Sequence, residues 1–315
     1  MKFLQKKLMH LIPVMFLVTV ITFLFVNLLP GDVAHIILGE EATPEAIAII
    51  QEELRLNEPM LLRYLWWMGD VLSGDFGNSF ITQEPVMEAL LGRLPVTLEL
   101  MLITQAIAVL LALPLGVLSA YRAGRPVDRI VSGAAFGMLS IPNFMMAIIL
   151  IFIFAVTFGA LPATGYEPIS EGLWKNLRTF ILPSLTLALI EWCALMRLLR
   201  SDMIATLQEE FITVARAKGL SDRRILFTHA LKPSLFSAIT LFGLNVASLI
   251  SGSLVVETIF ALPGIGRLLV DSVFSRDYIM VQGVVLFAAI GFVLVNFLVD
   301  ALYAVLDPRI RHEHA

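Results

Sequence analysis

Charged residues in this chain fall in bursts, and between the bursts run six apolar stretches: 11–31, 100–121, 130–166, 179–196, 233–256 and 278–299. Only the fourth contains a charge, at Glu191. Each approaches or exceeds the ~20 residues that a helix rising 1.5 Å per residue needs to cross ~30 Å of hydrocarbon. The third is too long for one span, and Pro162, Gly165 and Pro168 place its surplus in an exit loop. The first follows Lys2, Lys6 and Lys7 as a secretory signal would. Its apolar core is too long for that, and no small-x-small cleavage site follows Pro30-Gly31-Asp32. The pattern predicts an all-α integral membrane protein with six transmembrane helices.

Three segments follow from this pattern: residues 1–31 with the first helix, an extracytoplasmic segment 32–95, and a five-helix core 96–315 that includes a cytoplasmic hairpin at 201–233. The extracytoplasmic segment carries eleven acids (Asp32, Glu40, Glu41, Glu45, Glu52, Glu53, Glu58, Asp70, Asp75, Glu84, Glu88) against Arg55, Arg63 and Arg93. Thr43 as N-cap and Pro44 at the first helical position start a helix with Ile47, Ile50 and Leu54 on one face, and Pro59 ends it. A second amphipathic piece, 61–72, carries Trp66 and Trp67, suited to a headgroup interface. Gly74-Asp75-Phe76-Gly77 then turns the chain.

Composition agrees with a membrane domain. The chain is 58% hydrophobic and 15% charged, with mean hydropathy +0.86, against about 45–50% and about 25% in soluble proteins. Placing the N-terminus inside puts Lys2, Lys6, Lys7, Arg122, Arg125, Arg129, Arg197, Arg200, Arg216, Lys218, Arg223, Arg224, Lys232, Arg309 and Arg311 in the cytoplasm. Only Arg55, Arg63, Arg93, Lys175, Arg178, Arg267 and Arg276 remain outside. The positive-inside rule therefore predicts that both termini are cytoplasmic. A net charge of −4 with no dense basic stripe gives no reason to expect nucleic acid. The single Cys193 excludes intrachain disulfides and thiolate metal sites.

The connection 197–233 is basic and amphipathic. Residues 209–218 read as a short helix with Phe211, Val214 and Ala215 on one face. Gly219 supplies a left-handed C-terminal cap, Ser221 a fresh N-cap, and Ile225, Phe227 and Leu231 follow on a second helix. Such a hairpin either hugs the headgroups as a surface loop or serves as a docking peg for a soluble partner.

Within the spans, Asn245, Ser248 and Gly252 share a face of the fifth, with Ser251 adjacent. That face reads either as small-x3-small helix packing or as a pathway lining. Glu191 has no basic residue at i±3 or i±4, and a lone carboxylate in hydrocarbon costs at least ~2.5 kcal/mol, so it faces the pathway, a partner helix or water. Asp300 reads as an interfacial or helix-pairing residue. Nothing in the sequence supports an enzyme. No G-x-x-x-x-G-K-[ST] is present, and Gly264-Ile265-Gly266 lacks the third glycine of a dinucleotide loop. His312 and His314 in the tail could bind a metal, but two solvated histidines fall short of the about four ligands of a closed site, and His10 and His35 give no clustered spacing.

At the hairpin the sequence resembles the membrane subunits of ABC importers, in the family that takes up dipeptides, oligopeptides and nickel. Their motif E-A-A-x3-G-x9-I-x-L-P falls on Thr213-Val214-Ala215, Gly219 and His229-Ala230-Leu231. Thr213 replaces the acid, His229 the isoleucine, and the proline arrives one position late as Pro233. Ala215-Arg216-Ala217-Lys218-Gly219-Leu220-Ser221, with His229 downstream, is similar to the peptide branch. Residues 255–267, VVETIFALPGIGR, look like that branch's V-V-E-T-x-F-x-x-P-G-x-G-R signature, with Leu262 where tryptophan is usual. Leu29-Pro30-Gly31-Asp32, Gly74-Asp75-Phe76-Gly77, Arg276-Asp277-Tyr278 and Asp307-Pro308-Arg309 continue the resemblance over essentially the whole chain.

The resemblance implies a type I ABC importer permease fold in the inner membrane of a prokaryote, forming half of a translocation pathway for peptides or a related solute, with nickel or a metal chelate as the alternative. It implies a homologous second permease subunit, two ATP-binding-cassette subunits that hold the ATP and Mg, and an extracytoplasmic solute-binding protein, with no cofactor on this chain. ATPase coupling is then expected at Phe211, Val214, Ala215, Arg216, Ala217, Lys218, Gly219, Leu220, Ser221, His229 and Leu231. The outer mouth is expected at Glu257, Pro263, Gly264, Gly266, Arg267 and Asp277. Pro263-Gly264 reads as a turn, and Gly266 as a position tolerating positive φ. An autonomous secondary transporter, the rival class, calls for repeated halves and paired broken helices, neither of which is evident.

Overall fold

The computed structural model describes residues 2–27, 43–53 and 55–306. The expectations at Leu29–Asp32, His35, Leu54, Asp307–Arg311, His312 and His314 lie outside these, as do the side chains of His10, Ser251 and Asp300. The described chain is helical: α1 Lys2–Asn27, α2 Pro44–Glu53, α3 Met60–Leu72, α4 Val86–Tyr121, α5 Pro126–Leu139, α6 Asn143–Leu150 continued by wider turns over Ile151–Thr157, α7 Leu173–Leu207, α8 Glu210–Ala217, α9 Leu231–Ile259, α10 Ile265–Phe274 and α11 Tyr278–Leu306. It divides into two compact units, residues 1–96 with 263–315, and residues 97–262.

In the first unit α1 packs along α11, and α10 lies on α11. α3 is fastened to α1 by aromatic contacts: Phe23 meets Tyr64 edge-on at 5.4 Å, and Trp67 lies 5.7 Å from Phe23. The Tyr64 and Thr19 hydroxyls share a hydrogen bond of 2.9 Å. Trp66 remains exposed, as an interfacial tryptophan should. The core is Val86, Ala89, Leu90, Ile265, Leu268, Met280 and Val284. Gly283 is needed there, because a Cβ at that position would overlap the Val86 side chain.

In the second unit α7 packs against α9, α5 and α6. Ala108, Ala112, Ala135 and Ala188 are buried together with Trp192, Cys193, Leu195 and Met196. These small residues let helix backbones approach closely, which replaces the hydrophobic drive that lipid does not provide. Large apolar side chains such as Leu102, Leu110, Ile130, Phe152 and Leu244 are left outward-facing, as they should be where the surroundings are hydrocarbon.

Several details depart from the sequence pattern. Four described helices are long and apolar enough to cross a membrane, or five if one bent pair counts as a span, while α1 has a shorter apolar part at Leu11–Leu24. That bent pair is the third stretch, which divides into α5 and α6 at an angle of 107°. The break comes at Ile141-Pro142, well before Pro162. Pro142 has no N–H to continue the ladder and disfavours helical geometry at Ile141. Pro142 itself is extended, with ψ 148°. α4 begins at Val86, inside the segment assigned to the exterior, and continues through Pro95. Pro59, expected to end a helix, instead starts α3 as its N-cap, the preceding turn being made by Arg55 at φ 52°.

Candidate functional site

The hairpin after α7 is built on Gly219. α8 ends with two backbone bonds, Leu220 N–H to the Ala215 carbonyl (3.3 Å) and Gly219 N–H to the Arg216 carbonyl (2.9 Å). This is the pairing that reverses a helix end, and it needs a left-handed residue between, here Gly219 at φ 77°. Ile212 and Ala215 turn inward with Ile225, Leu226 and Ala230, against Val117 and Ala120 of α4 and Leu199 and Met203 of α7. Leu220 and Leu231 pack on that cluster. Ala215 is therefore on the seat of the hairpin, and the face it was expected to share keeps only Phe211 and Val214, which are about half exposed, as is Phe227 on the second arm. Arg216, Ala217, Lys218, Gly219 and Ser221 are exposed and His229 is half-buried. Ser221 has N-cap backbone geometry but its hydroxyl caps nothing.

The second arm is not a separate helix. Asp222–Arg224 passes into wider turns over Ile225–Ala230 and then directly into α9. One continuous helical run thus joins the exposed hairpin to a membrane span.

Beside the hairpin's seat lies an ionic clasp that sequence reasoning missed. The Arg200 guanidinium on α7 grips Asp128 on α5 with both arms, Nε to Oδ1 at 2.6 Å and a terminal nitrogen to Oδ2 at 2.7 Å. The Gly124 N–H donates to Oδ2 at 2.7 Å, and the hydroxyls of Ser119 and Ser132 donate to Oδ1. Asp128 is buried and Arg200 about a quarter exposed. A buried carboxylate is tolerated when paired and fully hydrogen-bonded, as here. Gly124 can turn its N–H inward because it sits at φ 76°. The available signal was Gly-Arg-Pro followed by an aspartate in a first helical turn, which by itself looks like ordinary N-terminal charge.

Among the residues expected in the pathway, Glu191 on α7 accepts a 2.7 Å hydrogen bond from Gln105 Nε2 on α4. It therefore faces a neighbouring helix, one of the three options its isolation in sequence left open. The buried Gln105 was not anticipated, since no local pattern joins residues 86 positions apart. Asn245 is half-buried, and the exposed Ser248 hydroxyl donates to the Asn245 carbonyl at 2.8 Å within α9. Of Ser251 and Gly252 only the helical backbone is described.

The outer residues prove structural at several points. Glu257 is fully buried, and its Oε1 accepts from the hydroxyls of Thr97 at 2.9 Å and Ser253 at 3.0 Å. Asp277 is buried as the N-cap of α11, accepting from the Met280 N–H at 3.2 Å and from the Ser79 hydroxyl. Both carboxylates are buried within their own units. Gly266 lies buried in the first turn of α10, with no positive φ. Gly264 is the extended N-cap of that helix, and the left-handed residues in this region are Ala261, at φ 56°, and Arg276, at φ 58°. Pro263 is half-buried, and Arg267 pairs with Asp271 one turn on, at 3.6 Å. Glu257 belongs to the second unit and the other five residues to the first.

Two family models match the chain. The inner membrane component of binding-protein-dependent transport systems matches residues 112–312, and the N-terminal part of such membrane components matches 1–101. The chain belongs to this family. Among full-length relatives, a Brucella abortus permease provisionally assigned to a peptide transport system is 41% identical over 98% of both chains. The oligopeptide transport system permease protein AppB of Bacillus subtilis is 37% identical over 96% of both. The glutathione transport system permease protein GsiC of Salmonella choleraesuis is 38% identical over 99% of this permease and all of that one. An inward-facing structure of the MetNI methionine ABC transporter shares the fold, with TM-score 0.58 and 18% identity over 71% of this permease and 99% of that chain.

Proposed function

We propose that this permease forms one half of the translocation pathway of an ATP-driven importer for di- and oligopeptides. Six membrane passages leave both termini in the cytoplasm, α1 and the bent α5–α6 pair supplying the two that length alone does not establish. A homologous permease lines the other half, two ATPase subunits hold the ATP and Mg, and an extracytoplasmic binding protein delivers the solute. Supporting the solute class are relatives named for peptide, oligopeptide and glutathione transport, matched over nearly their full lengths.

The observation that carries the mechanism is the continuity of the hairpin with α9. Phe211, Val214 and Phe227 offer a half-exposed apolar and aromatic face, of the kind that seats in a groove of a soluble partner. A push on that face reaches the pathway along an unbroken helical run. The hairpin's seat on α4 and α7, and the Asp128–Arg200 clasp between α5 and α7, make these elements move as one body. A two-state rocking of such rigid bodies is how nucleotide-driven closure would alternate access. The test is reconstitution of the complex in vesicles with its binding protein, scoring ATP hydrolysis and uptake of a labelled dipeptide together. ATP hydrolysis stimulated by the loaded binding protein, with uptake, is expected. Uptake that persists without ATPase subunits would establish an autonomous transporter instead.

A further inference from the structure

The connection between α6 and α7, on the side that the basic residues assign to the exterior, borders an open cleft of about 480 Å³ that no role in coupling explains. Its wall is a held structure rather than a slack loop. Arg178 donates to the Ala160 carbonyl at 3.0 Å, Asn176 Nδ2 to the Glu167 carbonyl at 3.0 Å, and the Gly165 N–H to the Phe260 carbonyl at 2.9 Å. Three staples thus fix the connection to α7 and to the end of α9. Gly165, at φ 108°, permits the reversal between them.

Four charged side chains line this space: Glu167 and Glu171 from the connection, and Lys175 and Arg178 from the first turns of α7. Two acids and two bases are brought to one cleft, yet among the described residues no ion pair within 4 Å joins them. A surface patch relieving its own charges would pair them, whereas a site for a ligand with both charges keeps them apart. Tyr166 adds a phenol. Burial, with the Glu99 carboxylate beside it, raises it above its ordinary value, so it stays a neutral hydrogen-bonding group. Leu161 and Pro162 supply apolar wall. The volume is in the range of small-molecule sites, roughly 300–1,000 Å³.

We propose that this cleft binds the free ammonium and carboxylate termini of a short peptide, the acids taking the first and Lys175 with Arg178 the second. The proposal rests on the peptide-importer reading for its choice of zwitterion. It describes a holding site on the permease itself, apart from any pocket on the binding protein.

The test uses the assembled complex in nanodiscs without binding protein, and calorimetric titration with alanyl-alanine, its N-acetylated form and its C-terminal amide. Wild type should prefer the free dipeptide over both blocked forms. Lys175 and Glu171 are exposed and their side chains make no hydrogen bond among the described residues, so K175Q and E171Q should fold normally. K175Q should erase the preference for the free carboxylate and E171Q the preference for the free amine, each weakening the free dipeptide about fivefold, as for one partly solvated ion pair. Binding that ignores the blocking groups, or no binding, overturns the proposal. So does a result in which both variants bind as wild type but lose stimulation by the binding protein, which would make the cleft a protein-docking surface. Dipeptide uptake is measured in parallel on complexes supplied with binding protein. Uptake without binding refutes the cleft site alone, whereas absence of peptide uptake refutes the importer reading, whatever the titration shows.

Discussion

The inner hairpin and the outer helix ends close with the same backbone device but on different residues. At Gly219 the pair of reversing bonds is built on glycine, with open space where a Cβ would stand. At Ala261 the same pair runs from Leu262 to Glu257 (2.9 Å) and from Ala261 to Thr258 (3.2 Å). At Arg276 it runs from Asp277 to Ser272 (2.8 Å) and from Arg276 to Val273 (3.2 Å). Alanine at φ 56° and arginine at φ 58° hold a geometry that disfavours any Cβ by about 1–2 kcal/mol. Each of these two turns is flanked by a buried carboxylate, Glu257 bonded to Thr97 and Ser253, and Asp277 bonded to Ser79. The exposed hairpin turn has no buried carboxylate beside it, only the exposed Asp222 accepting from the Tyr121 hydroxyl at 3.0 Å, and relies on glycine. Where the surroundings over-determine a turn, the residue in it matters less.

The largest effect is expected where the hairpin's seat depends on charge. Asp128→Ala leaves Arg200 without its partner and the Gly124 N–H without its acceptor. Asp128 is buried and Arg200 partly exposed, so a loss of about 2–3 kcal/mol is expected, somewhat below the about 3–5 kcal/mol of fully buried pairs. It should be read as a fall in the thermal midpoint of the solubilised complex, with Asp128→Asn intermediate. If Asp128→Ala melts with wild type, the clasp is not what holds the seat.

Next is Asp277→Ala, which removes a helix cap and the acceptor for a buried hydroxyl and should cost about 2 kcal/mol. Asp277→Asn, which keeps an oxygen to cap the Met280 N–H while losing the carboxylate acceptor of the Ser79 hydroxyl, should cost about half that. Equal losses from the two variants would show that the Ser79 bond, and not the cap, carries the anchoring.

Gly219→Val should cost about 1–2 kcal/mol at the turn. Because the hairpin is an attachment rather than the core of its unit, its visible effect is on coupling. The permease should insert, while ATPase co-purification and stimulated hydrolysis fall. Arg223→Gln, on the exposed start of the second arm, is the control; Asp222 is avoided because it accepts from the Tyr121 hydroxyl of α4 at 3.0 Å. If Gly219→Val matches that control in both assays, the hairpin is not the coupling element.

The smallest effect sharpens the comparison from the other side. Ala261→Gly relieves the left-handed Cβ and should raise stability by about 0.5 kcal/mol, after the greater chain entropy of glycine is subtracted. Gly219→Ala should lower it by about 1 kcal/mol. If Ala261→Gly destabilises instead, the methyl group is making packing contacts worth more than the strain.

What the sequence determined by itself is what local chemistry decides. Long charge-free stretches give spanning helices, because hydrocarbon leaves the backbone no other partner. Thr43-Pro44 starts α2, and Gly219, with Leu220 after it, reverses the hairpin, because φ preference and capping need only neighbours in the chain. The break in the third stretch was also written locally, in Ile141-Pro142, and was obscured by the stronger turn signals after it. Only the tertiary structure decided which polar residues serve which purpose. Glu257 and Asp277, which nothing local in the sequence marks as buried, are buried anchors, since Thr97 and Ser79, 160 and 198 residues away, supply their donors. Asp128 and Arg200 look like unrelated loop charges until α5 and α7 bring them within 2.6 Å. A carboxylate's role depends on whether its desolvation is matched by donors, and those donors are recruited across helices by packing, which no local pattern encodes.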